Sequence, residues 1–241
     1  MKEYKSASVA LLLILSCALL LRFSNFATLP AGLYYDEAIE GLDALKIING
    51  DRPVYFSELN SRAALFTYWA ATSISLLGRS PAAIRLPAAV ASCATVIGVY
   101  LIARSLFNRR IGLLAAFIST FSVWTILLGR LGDNPSMSAL FLSFGLWLGI
   151  RGWQSQKWWF WTLSGIVMGI SIYTYEASRV IILILPMWAV ALLVYGQRHR
   201  LWPGTLIFLA AFMLTVMPLL LYAWEHWSVV IERSEDVSLL S

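Results

Sequence analysis

The chain has 241 residues, of which 59% are hydrophobic and 13% charged, with a formal net charge of +5. Soluble domains use about 45–50% apolar and about 25% charged residues, so this composition excludes a soluble globular enzyme and indicates an all-α, multi-pass membrane protein. The basic excess lies in short loops between apolar runs and is a matter of membrane orientation, so no nucleic-acid partner is inferred from it.

In chain order, seven runs are long enough to cross a hydrocarbon layer of about 20 residues when tilt and aromatic edges are allowed for. They are Ser6–Phe26, Leu86–Leu106, Ile111–Leu128, Pro135–Ile150, Trp158–Tyr173, Val180–Tyr195 and Leu201–Trp224. The first stops at Arg22 and is read as a retained span, not a cleaved signal. An eighth run, Ala63–Leu77, is bounded by Arg62 and Arg79 and holds Thr67, Thr72, Ser73 and Ser75.

The placement of basic residues decides how that eighth run is read. If it does not cross, Lys2, Lys5, Arg104, Arg109, Arg110, Arg151, Lys157, Arg198 and Arg200 share the N-terminal side with the single acid Glu3. The positive-inside rule then makes that side cytoplasmic and Ala63–Leu77 an interfacial or re-entrant helix. Residues 27–85 become the first external loop of a single transmembrane module spanning 1–241. Localisation follows as a plasma or inner cell membrane, with the reactive face outside.

That loop contains the most informative stretch, Leu33–Asn49, where Asp36, Glu37, Glu40 and Asp43 crowd together. Helical periodicity puts Asp36, Glu40 and Asp43 on one face and Ile39, Leu42 and Leu45 roughly opposite, so the helix is expected to lie on the membrane surface with its acids toward water. On the same side fall Arg62, the loop Arg130–Asn134 with Asp133, and Tyr173–Arg179 with Tyr175 and Glu176. Glu40 and Asp43 are read as solvated charges, Arg85 as a boundary anchor, and the Trp residues, such as Trp158, Trp159 and Trp161, as interface aromatics. No ionisable residue is expected in mid-span. Cys17, Cys93, His199 and His226 lack partners at ligand spacing.

The strings YYDEAIEGLDALKIINGDRPVYF and SRAALFTYWAATSISLLGRSPAAIRLPAAVASCATVIGVYLIARSLFNRRIGLLAAF, together with Trp124, Arg130 and YTYEASR, carry a further signal. They resemble the N-terminal half of bacterial glycosyltransferase family 39, GT-C fold membrane enzymes related to protein O-mannosyltransferases and the lipid A aminoarabinose transferase. The resemblance implies a GT-C-like module that moves a sugar from a polyprenyl-phosphate donor to a lipid, glycan or protein acceptor on the external face. It implies that Asp36 deprotonates or aligns the acceptor hydroxyl, with Glu37 beside it. A positioned carboxylate at an apolar boundary suits that task, and cations suit the lipid phosphate that leaves. Arg62, Arg130 and Arg179 are the candidates for the phosphate, with Asp133, Tyr175 and Glu176 as further substrate contacts; Arg130 with Asp133 reads equally as an external ion pair, and Tyr173, Tyr175, Glu176 and Arg179 read first as an interface belt with a snorkelling arginine.

Where relatives carry Lys-Pro-Pro-Leu or Arg-Glu-Pro-Leu, this chain reads Arg62, Ala63, Ala64, Leu65. Relatives also run longer, with more spans and often a soluble C-terminal domain, so a missing C-terminal half or a partner chain is part of the expectation. A non-catalytic lipid-binding module or a subunit of a split enzyme stays open beside the transferase. No metal ligand set is assigned, no cofactor is named, and participation of a divalent metal stays open.

Overall fold

The computed structural model describes residues 2–56, 62–181 and 198–226. Its helices are α1 (Lys2–Phe23), α2 (Tyr35–Ile48), α3 (Leu65–Leu77), α4 (Pro81–Leu106), α5 (Arg109–Phe121), α6 (Val123–Arg130), α7 (Pro135–Ser155), α8 (Trp158–Ser171) and α9 (Arg198–Glu225), with a 3₁₀ helix over Glu176–Val180. Two short strands, β1 (Tyr55–Phe56) and β2 (Arg62–Ala63), pair antiparallel, Tyr55 opposite Ala63 and Phe56 opposite Arg62. The expected span Val180–Tyr195 lies almost wholly outside the described residues.

Local chemistry sets several of the boundaries. Ser80 caps α4 by accepting from the Ala83 amide, and Pro81 follows at the first helical position, where its missing N–H is no loss. Asn108 caps α5 in the same way, accepting from the Ile111 amide at 3.0 Å.

Packing runs as a chain of neighbours: α4 against α5 and α7, α7 against α8, α8 against α9, with α1 laid on α4 and α5 and with α2 on α3. Glycines make the closest approaches. A Cβ on Gly145 would stand 2.6 Å from Met168, and one on Gly165 would overlap the backbone oxygen of Phe208. Between apolar helices in lipid, dispersion at such small-residue contacts does much of the holding.

Among the described residues, Pro81–Leu106 and Trp202–Glu225 are the helices long and apolar enough to cross a membrane. The expected single span Ile111–Leu128 is two helices, α5 and α6, bent by 58° at Ser122, and it adds a third crossing if the pair spans together. Ala7–Phe23 and Leu65–Leu77 are shorter apolar helices.

Arg22, in the last turn of α1 where the first apolar run stops, carries its charge into the packed interior of the bundle. It is fully buried, with Nε donating to Ser92 Oγ at 2.7 Å and Nη1 to the carbonyls of Ala18 and Thr120. Nη2 reaches Thr125 Oγ1 at 3.3 Å, so the guanidinium straddles the α5–α6 break and satisfies a carbonyl that the bend frees. Trp161 departs from expectation: it is 5% exposed and packed in the core, whereas Trp158 is 66% exposed.

Candidate functional site

Helix α2 departs from the amphipathic reading: its acids are buried together with Ile39, and Leu45 is half-buried. Glu37, Glu40 and Asp43 are buried, while Leu42 and Ile48 are exposed. The reason is two arginines contributed by other elements. A carboxylate buried beside a guanidinium exchanges water for charge-assisted hydrogen bonds, so the arginines turn the acidic face inward.

Arg62, on β2, donates from Nε to Glu40 Oε1 and from Nη2 to Asp43 Oδ2, each at 2.6 Å. Its guanidinium also lies over the Phe56 ring at 5.3 Å. Glu40 accepts in addition from Thr67 Oγ1 at 2.7 Å and from Asn134 Nδ2 at 2.8 Å, so it is a buried hub and not a solvated charge. Burial lifts its carboxyl above the ordinary glutamate range, against the pull of Arg62, Thr67 and Asn134. Burial likewise opposes the Arg62 charge, but Glu40 and Asp43 outweigh it and keep the guanidinium protonated.

Arg85, expected at a membrane boundary, is instead fully buried on α4. Its Nε reaches Glu37 Oε1 at 2.8 Å and its Nη2 reaches Oε2 at 3.0 Å. The remaining N–H groups hold the carbonyls of Phe26, Pro30 and Gly32, which fixes the turn leading into α2. Glu37 also accepts from the Tyr34 amide at 2.9 Å and from the Gly132 amide at 2.7 Å. Burial raises its carboxyl, yet the hydrogen bonds from Arg85, Gly132 and Tyr34 and the Arg85 charge prevail and leave it below the ordinary range. Glu37 thus ties the N-terminus of α2 to the loop carrying Asp133.

The consequence is a polar cavity of about 100 Å³ at this end of the bundle. Asp36 lines it from α2 and Arg62 from β2; Asp133 and Asn134 line it from the α6–α7 loop, and Tyr175, Glu176 and Arg179 from the segment after α8. Asp36 is half-buried there, one residue before the clamped Glu37. Arg179 is also half-buried, and among the described residues its side chain makes no hydrogen bond or ion pair.

Of the residues singled out in the sequence, Asp36, Arg62, Asp133, Tyr175, Glu176 and Arg179 therefore share one cavity. Glu37 stands behind it, and Arg130 stands apart. Arg130 donates to the carbonyls of Leu21 and Ser24, each at 2.7 Å, and of Leu29 at 3.1 Å, so its donors serve the C-terminal end of α1 and the turn that follows. The sequence reading missed Asn134, which directly precedes Pro135 and reads as an ordinary helix cap.

The 3₁₀ helix separates this cavity from a second one. Its Glu176 and Arg179 line the polar side, while Ala177 and Ser178, with Ile181 just beyond, line an apolar cavity of about 530 Å³ between α7, α8 and α9. Leu142, Leu146, Met168 and Phe208 contribute to that wall. A bond of 2.6 Å between the Ser138 and Ser178 hydroxyls fastens the partition to α7. Among the described residues, no group of three or more His, Cys, Asp and Glu side chains is placed to hold a metal ion.

Comparison with known proteins agrees with this architecture. The fold is similar to that of the Archaeoglobus fulgidus oligosaccharyltransferase in its apo form, with a TM-score of 0.75 at 16% identity. The match covers 88% of this chain and 29% of that one, so the chain spans under a third of the length of that relative. A search of curated proteins found no match. The family model for dolichyl-phosphate-mannose-protein mannosyltransferase matches residues 61–223. With more than half of its length inside that match, and with an all-α membrane fold of the GT-C kind, the chain belongs to the dolichyl-phosphate-mannose-protein mannosyltransferase family.

Proposed function

We propose that this chain carries the donor-side catalytic module of a membrane glycosyltransferase that moves a sugar from a polyprenyl phosphate to an acceptor hydroxyl on the external face. The observation that supports it most is the pair of cavities on either side of one 3₁₀ helix, one charged and one apolar. A lipid-linked sugar phosphate is an amphiphile with those two halves. Its apolar chain would lie among Met168, Phe208 and Leu146, and its phosphate beside Arg179, whose charge no other described side chain occupies.

In this reading Asp36 takes the proton from the acceptor hydroxyl as that oxygen forms a bond to the anomeric carbon. The bond from that carbon to the phosphate oxygen breaks, and its electrons leave with the lipid phosphate. Arg179 offsets the charge that develops there. Arg62 lines the same cavity with its charge already matched by Glu40 and Asp43, so it shapes the floor more than it attracts phosphate. Glu37 holds Asp36 in place without reaching the reacting atoms. The membrane orientation remains the one derived from the basic loops, with the N-terminus cytoplasmic.

The test is transfer of labelled sugar from a polyprenyl-phosphate hexose by the full-length protein in lipid nanodiscs. Asp36→Asn is expected to lower the rate by about a hundredfold or more while leaving donor binding intact. Wild-type transfer by that variant rejects the assignment. Donor binding without any transfer by the wild-type protein favours the non-catalytic lipid-binding module.

A further inference from the structure

Among the described residues, Asn134 has an oxygen without a hydrogen-bond partner. It stands in the wall of the polar cavity, 5% exposed, at the N-cap position of α7. An asparagine there ordinarily turns its Oδ1 onto an amide of the first helical turn. This one makes no such bond. Its Nδ2 donates to Glu40 Oε1 at 2.8 Å and to Asp133 Oδ1 at 3.3 Å, and its Oδ1 has no hydrogen-bond partner. The orientation of the amide follows from chemistry: flipping it would set Oδ1 against two carboxyl groups and lose both donors.

Buried acceptors are nearly always satisfied, and the exceptions collect where a ligand completes the set. A hydrogen-bond donor or a cation would complete Oδ1, and among the described residues no group of three or more His, Cys, Asp and Glu side chains stands ready to hold a cation, which favours a donor. Under the proposed transfer, the acceptor substrate brings one reactive hydroxyl proton, and Asp36 takes it. The other hydroxyl carrier that every turnover brings into the cavity is the transferred sugar itself. Asp133, adjacent in sequence, lines the same cavity and puts a carboxylate in the same wall.

We propose that Asn134 is a specificity-determining residue whose Oδ1 accepts a hydrogen bond from a ring hydroxyl of the transferred sugar. The inference rests on the glycosyltransferase reading and deepens it. Oδ1 is shielded from bulk water, so a sugar must spread the wall to reach it, and site geometry commonly adjusts in this way only in the complex. The same shielding makes the contact selective, because an analogue without the hydroxyl leaves a dry acceptor unanswered.

The experiment measures equilibrium binding of a short-chain polyprenyl-phosphate hexose and of its monodeoxy counterparts to the full-length protein in nanodiscs. For the wild type, one deoxy donor is expected to bind about tenfold to a hundredfold more weakly than its parent. Asn134→Ala should bind that pair equally. If Asn134→Ala cannot be purified folded, Asn134→Ser, too short to span the same distance, takes its place with the same expectation. A purely structural role would weaken both donors alike and leave their ratio unchanged, and that result overturns the proposal. Equal binding of every deoxy donor by the wild type overturns it too, while leaving the transferase reading standing. Failure of the wild type to bind any parent donor overturns both.

Discussion

Removing Glu37 should be among the most damaging single changes outside the apolar core. Its two oxygens accept four hydrogen bonds, two from Arg85 and one each from the Tyr34 and Gly132 amides, and both side chains of the ion pair are fully buried. Glu37→Ala would strand a buried guanidinium and two amide donors. Breaking a buried pair from one side costs about 3–5 kcal/mol, whereas replacing both partners by apolar groups is often much cheaper. Arg85→Met alone should cost a similar amount, because it strands the carboxylate and also deprives the Phe26, Pro30 and Gly32 carbonyls of their donors. The double variant Glu37→Ala/Arg85→Met should then fall short of the summed costs by about 2–3 kcal/mol. The assay is unfolding by SDS titration in mixed micelles, followed through tryptophan fluorescence for all four proteins of the cycle. Additive costs, or a Glu37→Ala penalty below about 1 kcal/mol, would refute the claim that this pair holds α2 against α4 and the Asp133 loop.

Other outcomes follow from the same contacts. Arg179→Ala should raise the KM for a polyprenyl-phosphate donor by about tenfold to a hundredfold, the worth of one charge-assisted contact to phosphate, with a smaller change in donors lacking the phosphate charge. Gly165→Ala should destabilise the protein by about 1–3 kcal/mol in the same unfolding assay, since the added methyl meets the Phe208 carbonyl and forces α8 from α9. The two buried glutamates predict opposite pH limbs. Glu37 has a lowered folded pKa, so the stability it adds is present above the ordinary glutamate range and is lost as pH falls below that range. Glu40 has a raised one, so its effect is a decline in stability as pH climbs from the ordinary glutamate range toward its folded value. Glu37→Gln should flatten the acid limb and Glu40→Gln the other, as read from unfolding midpoints across pH.

The helical membrane architecture was legible because apolar runs and basic loops are local properties that survive any tertiary arrangement. The grouping of Asp36, Arg62, Asp133 and the Tyr175–Arg179 segment followed from sidedness alone. The orientation of α2 was not legible. Periodicity gives an acidic face, but which way that face turns depends on Arg62 and Arg85, whose arrival beside Glu40 and Glu37 is a long-range event. The sequence reading treated Arg85 as an anchor because arginine next to an apolar run usually is one. Arg130 looked like a phosphate ligand for the same want of partners: nothing in its neighbours announces that three carbonyls of the α1 end will take its donors. The break at Ser122 was hidden because Ile111–Leu128 contains no charge and no proline, and the hydroxyls of Ser119, Thr120, Ser122 and Thr125 are compatible with an unbroken apolar helix.

The central claim is that one amphiphilic donor lies across the 3₁₀ partition, with its phosphate by Arg179 and its chain in the apolar cavity. Photo-crosslinking a polyprenyl phosphate that carries a diazirine near the phosphate end, followed by peptide mapping, tests this most directly. The account predicts adducts at groove residues such as Met168, Ala177 and Phe208, competed away by unlabelled donor. Adducts confined to outward-facing positions such as Leu214 and Trp224, insensitive to competitor, would contradict it.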